Sequence, residues 1–235
     1  MKLPPVILVT GTDTGVGKTI TTAALAAVLH GTGRSVAVYK PCQSGAAAGD
    51  SDAAEIVRLA GPVTAEAGVV LQEPLAPVAA AAVDGTLLPA VAAHARRVRE
   101  LAGTHDHVLV EGAGGLLVEL DSDGGTLADL GTVLAGSVLA GSLLAAAFVL
   151  VARPALGTLN HTALTLEALQ ARKLKVLGVV LGSWPGIPDT VHHSNRQVLG
   201  SLPVPLLGAL PERASELSPA DFRAGAAAWL NGLPA

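Results

Sequence analysis

Apolar residues in this chain fall into short continuous runs, separated by longer stretches with helical spacing. Val6-Ile7-Leu8-Val9-Thr10, Ser35 to Tyr39, His107 to Val110, Phe148 to Val151, Val176 to Val180 and Val204 to Leu207 are such runs. They are rich in β-branched residues and apolar at successive positions, as strands buried on both faces are. Between them, Thr19–His30, Asp52–Leu59, Pro89–Leu101, Leu127 to about Ser142, Thr158–Arg172, Ser194–Leu199 and Pro219–Leu230 read as helices. Alternating strand and helix predicts a doubly wound, mostly parallel α/β sheet with helices on both faces. No Pro/Gly/Ser linker divides the chain, and 235 residues suit a single domain spanning 1–235.

One stretch invites a different reading. No charge occurs between Asp129 and Arg153, and Leu130 to Ala152 is long enough to span a bilayer. Its glycines, Gly131, Gly136 and Gly141, recur every five residues, so they form no seam for paired membrane helices. Ser137 and Ser142 dilute its hydrophobicity, and no Lys/Arg cluster flanks it. A buried helix followed by a buried strand is the expectation, with no membrane partner. Within it Val133-Leu134-Ala135-Gly136-Ser137 is repeated at once as Val138-Leu139-Ala140-Gly141-Ser142, a local duplication expected to extend one helix.

Composition narrows the function. Hydrophobic residues make up 50% and charged residues 14%, which excludes intrinsic disorder. Aromatics at 2% and a net charge of −4 leave no stacking platform and no basic footprint for nucleic acid. A single cysteine, Cys42, permits no internal disulfide, and the first residues carry no cleavable signal, so a reducing, cytoplasmic setting is expected. His105/His107 and His192/His193 lack the companion ligands of a zinc site. Low charge and small residues on several helices point to a buried subunit contact.

Between the first strand and its helix lies Gly11-Thr12-Asp13-Thr14-Gly15-Val16-Gly17-Lys18-Thr19. Glycines at a strand–helix junction let backbone N–H groups face an anion, and the helix end adds about half a positive charge. Lys18 would neutralise β/γ-phosphate oxygens and Thr19 would offer its hydroxyl to Mg²⁺. Gly11 precedes Gly17 by one residue more than the common pattern. Two further elements sit at strand ends. Glu111 opens Glu111-Gly112-Ala113-Gly114-Gly115, where it is either a second metal contact or an exposed turn residue. Lys40 opens Lys40-Pro41-Cys42-Gln43-Ser44-Gly45, as a rim cation for a transferring phosphoryl group or as a solvated loop lysine. Asp52 begins a helix and is a metal ligand or a helix-end acid.

These motifs, with Leu156-Gly157-Thr158-Leu159-Asn160-His161, resemble the dethiobiotin synthetases in kind and order along nearly the whole chain. The resemblance implies a P-loop NTPase fold, ATP as co-substrate and Mg²⁺. It implies closure of a ureido ring on 7,8-diaminopelargonate with CO₂: a substrate amine becomes a carbamate, the carbamate takes the γ-phosphoryl group, and the second amine expels phosphate. By position, Lys18 and Lys40 are then the catalytic cations, and Thr19, Asp52 and Glu111 hold the metal. Gly15, Val16, Gly17, Lys18, Thr19 and Ile20 wrap the phosphates, with Gly112, Ala113 and Gly114 beside the nucleotide. Thr14, Lys40 and Ser44 meet the diamine or carbamate. Gly157, Thr158, Leu159 and Asn160, at a helix N-terminus, hold the substrate's distal carboxylate from a second subunit, which implies a homodimer. The base pocket falls at Gly182-Ser183 and Leu210-Pro211-Glu212. The family commonly has an amide reader where this chain has Gly182-Ser183-Trp184-Pro185, so weaker discrimination among bases is expected. The helix with the duplicated pentapeptide also runs longer than the family's. A partitioning or positioning ATPase is the competing class. Its signature lysine near the start of the loop is missing from Gly11-Thr12-Asp13, and no basic run or amphipathic C-terminal membrane helix is evident. A cobyrinic-acid amidating synthetase is another, which would usually append a glutaminase domain.

Overall fold

The computed structural model describes residues 3–49, 51–139 and 141–234; Met1, Lys2 and Ala140 of the segments read above lie outside them. In chain order the elements are β1 (Val6–Gly11), α1 (Lys18–Gly31), β2 (Val36–Gln43), α2 (Asp52–Ala60), β3 (Thr64–Val70), α3 (Pro77–Asp84), α4 (Val91–Ala102) and β4 (His107–Gly115). There follow α5 (Leu127–Ala135), β5 (Val138–Leu139), β6 (Ser142–Leu143), β7 (Ala146–Ala152), α6 (Thr158–Ala171), β8 (Val176–Trp184), α7 (Thr190–Gly200), β9 (Leu206–Pro211) and α8 (Pro219–Trp229). Seven strands form one sheet in the order β3-β2-β4-β1-β7-β8-β9, every pair parallel.

Alternation along the strands divides the core. Ile7 and Val9 of β1 and Val149 and Val151 of β7 face α1, α2 and α8, where they meet Leu25, Ile56 and Phe222. Val6, Leu8 and Phe148 face the opposite layer and meet Val98, Leu127 and Leu130 of α4 and α5. Leu150 and Leu181 continue that second face beneath α7, against Leu199. Helices therefore cover both faces, as the alternation of elements predicts. The chain leaves β1 toward β2 on one side and returns to β7 on the other. Ligands of such sheets bind where strand order reverses, at the carboxyl ends, and β1 is that strand here.

Three points need correction. The helix expected to reach Ser142 stops at Ala135, and the described residues beyond it pair as an antiparallel hairpin, Val138 opposite Leu143 and Leu139 opposite Ser142. The three glycines serve three purposes. Gly131 leaves room for the Phe148 ring against α5; Gly136 caps the helix; Gly141, at φ 82°, makes the reversal. Ser137 fixes the exit, its hydroxyl donating to Val133 O (2.6 Å) and accepting from Arg99 (3.1 Å). The longer helix is thus a normal helix plus a hairpin. Second, β3 and α3 were absent from the sequence reading. β3 is an edge strand, Thr-Ala-Glu-Ala-Gly-Val-Val, half exposed and too weakly apolar to register as a run. The last strand also lies later than Val204–Leu207, at Leu206–Pro211.

Candidate active site

The loop after β1 is shaped by its glycines. Gly15 and Gly17 both take positive φ, 70° and 96°, which a residue with a Cβ would adopt only under strain. Gly17 caps α1 without a side chain, and no acidic residue occupies the first helical turn. The first amides of α1 are therefore left for an anion. Lys18 is only 7% exposed and folds back onto its own loop, donating to the Asp13 carbonyl at 2.9 Å. Burial lowers its ammonium pKa to about 8, with Glu111 opposing that shift and Lys40 adding to it.

Two more strands and the start of α2 converge on this loop. Lys40, near the end of β2, is 8% exposed, and Glu111, in β4 level with Val9 of β1, is 1% exposed. Neither is a solvated loop or turn residue. The Lys40 ammonium pairs with the Asp52 carboxylate and lies 3.0 Å from Glu111 Oε1. The Thr19 hydroxyl lies between the same two carboxylates, 2.9 Å from Asp52 Oδ1 and 2.9 Å from Glu111 Oε1, with its one proton to share between them. Ser51, not Asp52, caps α2, by accepting from Ala54 N–H. Asp52 is thereby left free to point inward, and its N–H donates to Gln43 Oε1 at 3.1 Å. Glu111 Oε2 is buried with no hydrogen-bond partner among the described residues. A buried carboxylate oxygen without a partner is costly. Two carboxylates and a hydroxyl, all oxygen donors, fit a hard divalent cation such as Mg²⁺.

These groups line a cleft of about 560 Å³. It brings together Thr14, Gly15, Gly17, Lys18, Thr19, Ile20, Lys40, Ser44, Asp52, Glu111, Gly112, Ala113 and Gly114, as a single site requires. Ser44 Oγ is buried there without a partner among the described residues. Cys42 also lines the cleft, and burial pushes its thiol up to about 12, so it is a packed side chain rather than a nucleophile. The remaining expected residues lie elsewhere. Val16 is buried beneath the loop. Gly182 is buried against that loop: a Cβ on it would overlap the Val16 carbonyl, and one on Gly17 would meet the Gly182 carbonyl. Gly182 thus supports the phosphate loop and brings no side chain to a base. Ser183 beside it is exposed, Leu210 is fully buried in the core, Pro211 is half-buried and Glu212 is exposed. The Glu212 carboxylate accepts from Gly186 N–H at 2.8 Å and its own N–H donates to Trp184 O at 2.7 Å, joining the ends of β8 and β9. Gly157, Thr158, Leu159 and Asn160 form the first turn of α6, beyond the cleft of this single chain.

Some site-forming residues escaped the sequence reading. Pro74, Leu75, Ala76 and Pro77 form a cleft wall ahead of α3. Their Pro-x-x-Pro spacing, with proline at the first helical position, was the available signal. Gln43 was passed over because an amide that orients a neighbour carries no motif.

The fold and loop define the class, a P-loop ATPase. An AAA domain family profile matches residues 6–219. The septum site-determining protein MinD of Pyrococcus horikoshii, solved with Mg-ADP, superposes with a TM-score of 0.55 at 18% identity, covering 99% of this chain and 87% of that one. Chloroplast FtsY of Physcomitrella patens gives 0.56 at 18%, covering 96% and 66%. At that identity the likeness is one of fold alone. The sequence relatives are specific. The ATP-dependent dethiobiotin synthetase BioD of Mycobacterium avium is 50% identical over 234 residues, covering 97% of this chain and 98% of its own. Those of Saccharopolyspora erythraea (50%, covering 97% and 97%) and Streptomyces coelicolor (46%, covering 96% and 92%) agree. The chain belongs to the dethiobiotin synthetase family.

Proposed function

We propose that this chain closes the ureido ring of dethiobiotin from 7,8-diaminopelargonate and CO₂ at the expense of ATP. The observation that carries the reading is the convergence of Lys18, Thr19, Lys40, Asp52 and Glu111 on one cleft at the phosphate loop. The reaction asks the protein for position and charge. A carbamate oxygen attacks the γ-phosphorus, ADP leaves, and a carbamic–phosphoric anhydride remains. The second amine then attacks the anhydride carbonyl and expels phosphate. Lys18 and the amides of Gly15 to Ile20 hold the phosphates, and Lys40 meets charge on the carbamate and the transferring group. Thr14 and Ser44 border the diamine side of the cleft. Thr19, Asp52 and Glu111 would hold Mg²⁺, which supplies charge neutralisation at the phosphates when bound.

The product assay is direct. Purified protein is given diaminopelargonate, bicarbonate, Mg²⁺ and, separately, ATP, CTP and GTP, and dethiobiotin and phosphate are followed together. Equal yields of dethiobiotin and phosphate support the assignment. Phosphate without dethiobiotin overturns it in favour of a switch ATPase. A flat ranking of nucleotides is expected, because Gly182 faces the loop and offers no amide to adenine.

The working species in this proposal is a cytoplasmic homodimer whose sites span the interface. Leu156 (78% exposed), Leu159 and Leu164 (56%) leave apolar surface before and along the first half of α6, beside the turn that would take a partner's substrate carboxylate. Among the described residues no helix is long and apolar enough to cross a membrane. Mixing an inactive Lys40→Gln chain with an inactive Asn160→Ala chain tests the shared site. Recovery of roughly a quarter of wild-type activity, from the statistical heterodimer with one intact site, is the expected result. No recovery, with heterodimers demonstrably formed, excludes it.

A further inference from the structure

We propose that Arg153 is a positioning residue for the phosphate loop, acting through Asp13. The inference rests on reading Gly11–Thr19 as the nucleotide loop and is otherwise independent of the ring-closing chemistry.

Arg153 is the first residue past β7, the strand next to β1, and Thr12 N–H donates to Val151 O at 2.9 Å across that seam. Its guanidinium Nη2 donates to Asp13 Oδ2 at 2.6 Å. Asp13 is gripped at two further atoms: Oδ1 accepts Thr14 N–H at 2.7 Å, and the carbonyl accepts the Lys18 ammonium at 2.9 Å. One residue therefore joins β7, a residue bordering the cleft and the phosphate-binding lysine. The support beneath Arg153 is itself tied down. Buried Asn195 of α7 donates to Pro154 O (2.8 Å) and Ala155 O (3.1 Å). Arg153 thus reaches the loop from a fixed base, on the side of β1 opposite Glu111.

The pair is half exposed, so it adds little to folding stability. Its consequence is geometric. Loop amides and Lys18 must be aimed before the phosphates arrive, and a loop released from β7 must be ordered by the nucleotide instead. Loss of the pair then appears as weaker nucleotide binding, with chemistry at saturation nearly intact.

The test measures ATP binding by calorimetry with Mg²⁺ and without diaminopelargonate, so the result does not depend on which product is made. Steady-state KM and kcat and the melting temperature accompany it. Arg153→Ala is expected to raise the ATP Kd and KM about fivefold, leave kcat within about twofold, and hold Tm within about 2 °C. Arg153→Lys restores most of the affinity. In an Asp13→Ala background, Arg153→Ala adds no further loss. Unchanged ATP affinity in Arg153→Ala overturns the proposal. An equal loss in both backgrounds also overturns it, because Arg153 would then touch the nucleotide directly. So does a fall in Tm that Arg153→Lys fails to reverse, because the role would then be packing.

Discussion

Gly182, expected beside the base, packs directly against the phosphate loop. Its α-carbon lies so close to the Val16 carbonyl that no side chain fits, and it crowds Gly17 from the other direction. The two glycines come from β8 and the β1–α1 loop, and neither position has slack. Gly182→Ala should therefore push the loop away from its anion-binding shape. Overpacking of this kind costs about 1–3 kcal/mol. If the loop yields before the sheet does, ATP affinity falls about 10- to 100-fold, measured by titration. Gly208 makes the control. A Cβ there would overlap the Trp229 carbonyl, where α8 packs on β9. Gly208→Ala should lower the urea midpoint and leave ATP affinity as it was.

Among the elements, those with a strong local signal were legible and those defined by their neighbours were not. Val6–Gly11 and Ala146–Ala152 are central strands, apolar on both faces, and their runs stand out. The glycine loop, Lys40, Glu111 and Asp52 were legible because phosphate and metal chemistry constrains residue type and place. β3 escaped because pairing with β2, not its own hydrophobicity, makes it a strand. Of the residues expected around the base, Ser183 and Glu212 are exposed at the strand ends whereas Leu210 is buried in the core, a difference in burial that position at a strand end does not reveal. The duplicated pentapeptide is the sharpest case. Val133-Leu134-Ala135 is helical and Val138-Leu139 is strand, although the residues are the same. Gly141 at φ 82°, with open space at its Cβ position, gives the difference a sign. In the helix expected from sequence, Gly141→Ala would stabilise by about 1 kcal/mol. In the hairpin observed, it destabilises by about 1 kcal/mol, because alanine resists the left-handed region. Urea unfolding reads the sign, and turnover should be unchanged.

For the molecule as a whole, buried titratable groups set the pH range of stability. Cys42 lies in the core beside the cleft, and burial holds its thiol near 12 against an ordinary 9.0. Above pH 9 the unfolded chain releases this proton while the folded chain keeps it. The unfolded state then binds fewer protons, so stability falls as pH rises, by up to about 1.4 kcal/mol per pH unit. Tyr39, also pushed up by burial, adds the same sign above pH 10. Its hydroxyl is 2.7 Å from His94 Nδ1, and burial lowers His94. That imidazole works at the acid end: below pH 6.5 the unfolded chain takes a proton that folded His94 resists, and stability falls as pH falls. Lys18 acts against Cys42 on the alkaline side. Lowered to about 8 from 10.5, it leaves the unfolded chain with more protons across that window, so its contribution rises with pH. The total alkaline profile is therefore a sum of opposing slopes, and the difference between two proteins isolates one of them. Cys42→Ala removes the thiol's falling slope and keeps those of Tyr39 and Lys18. Between pH 9 and 10 the variant should lose about 1 kcal/mol less than wild type, measured from urea midpoints at each pH. Parallel curves for the two proteins would mean that the folded thiol ionises as freely as the unfolded one, which its burial opposes.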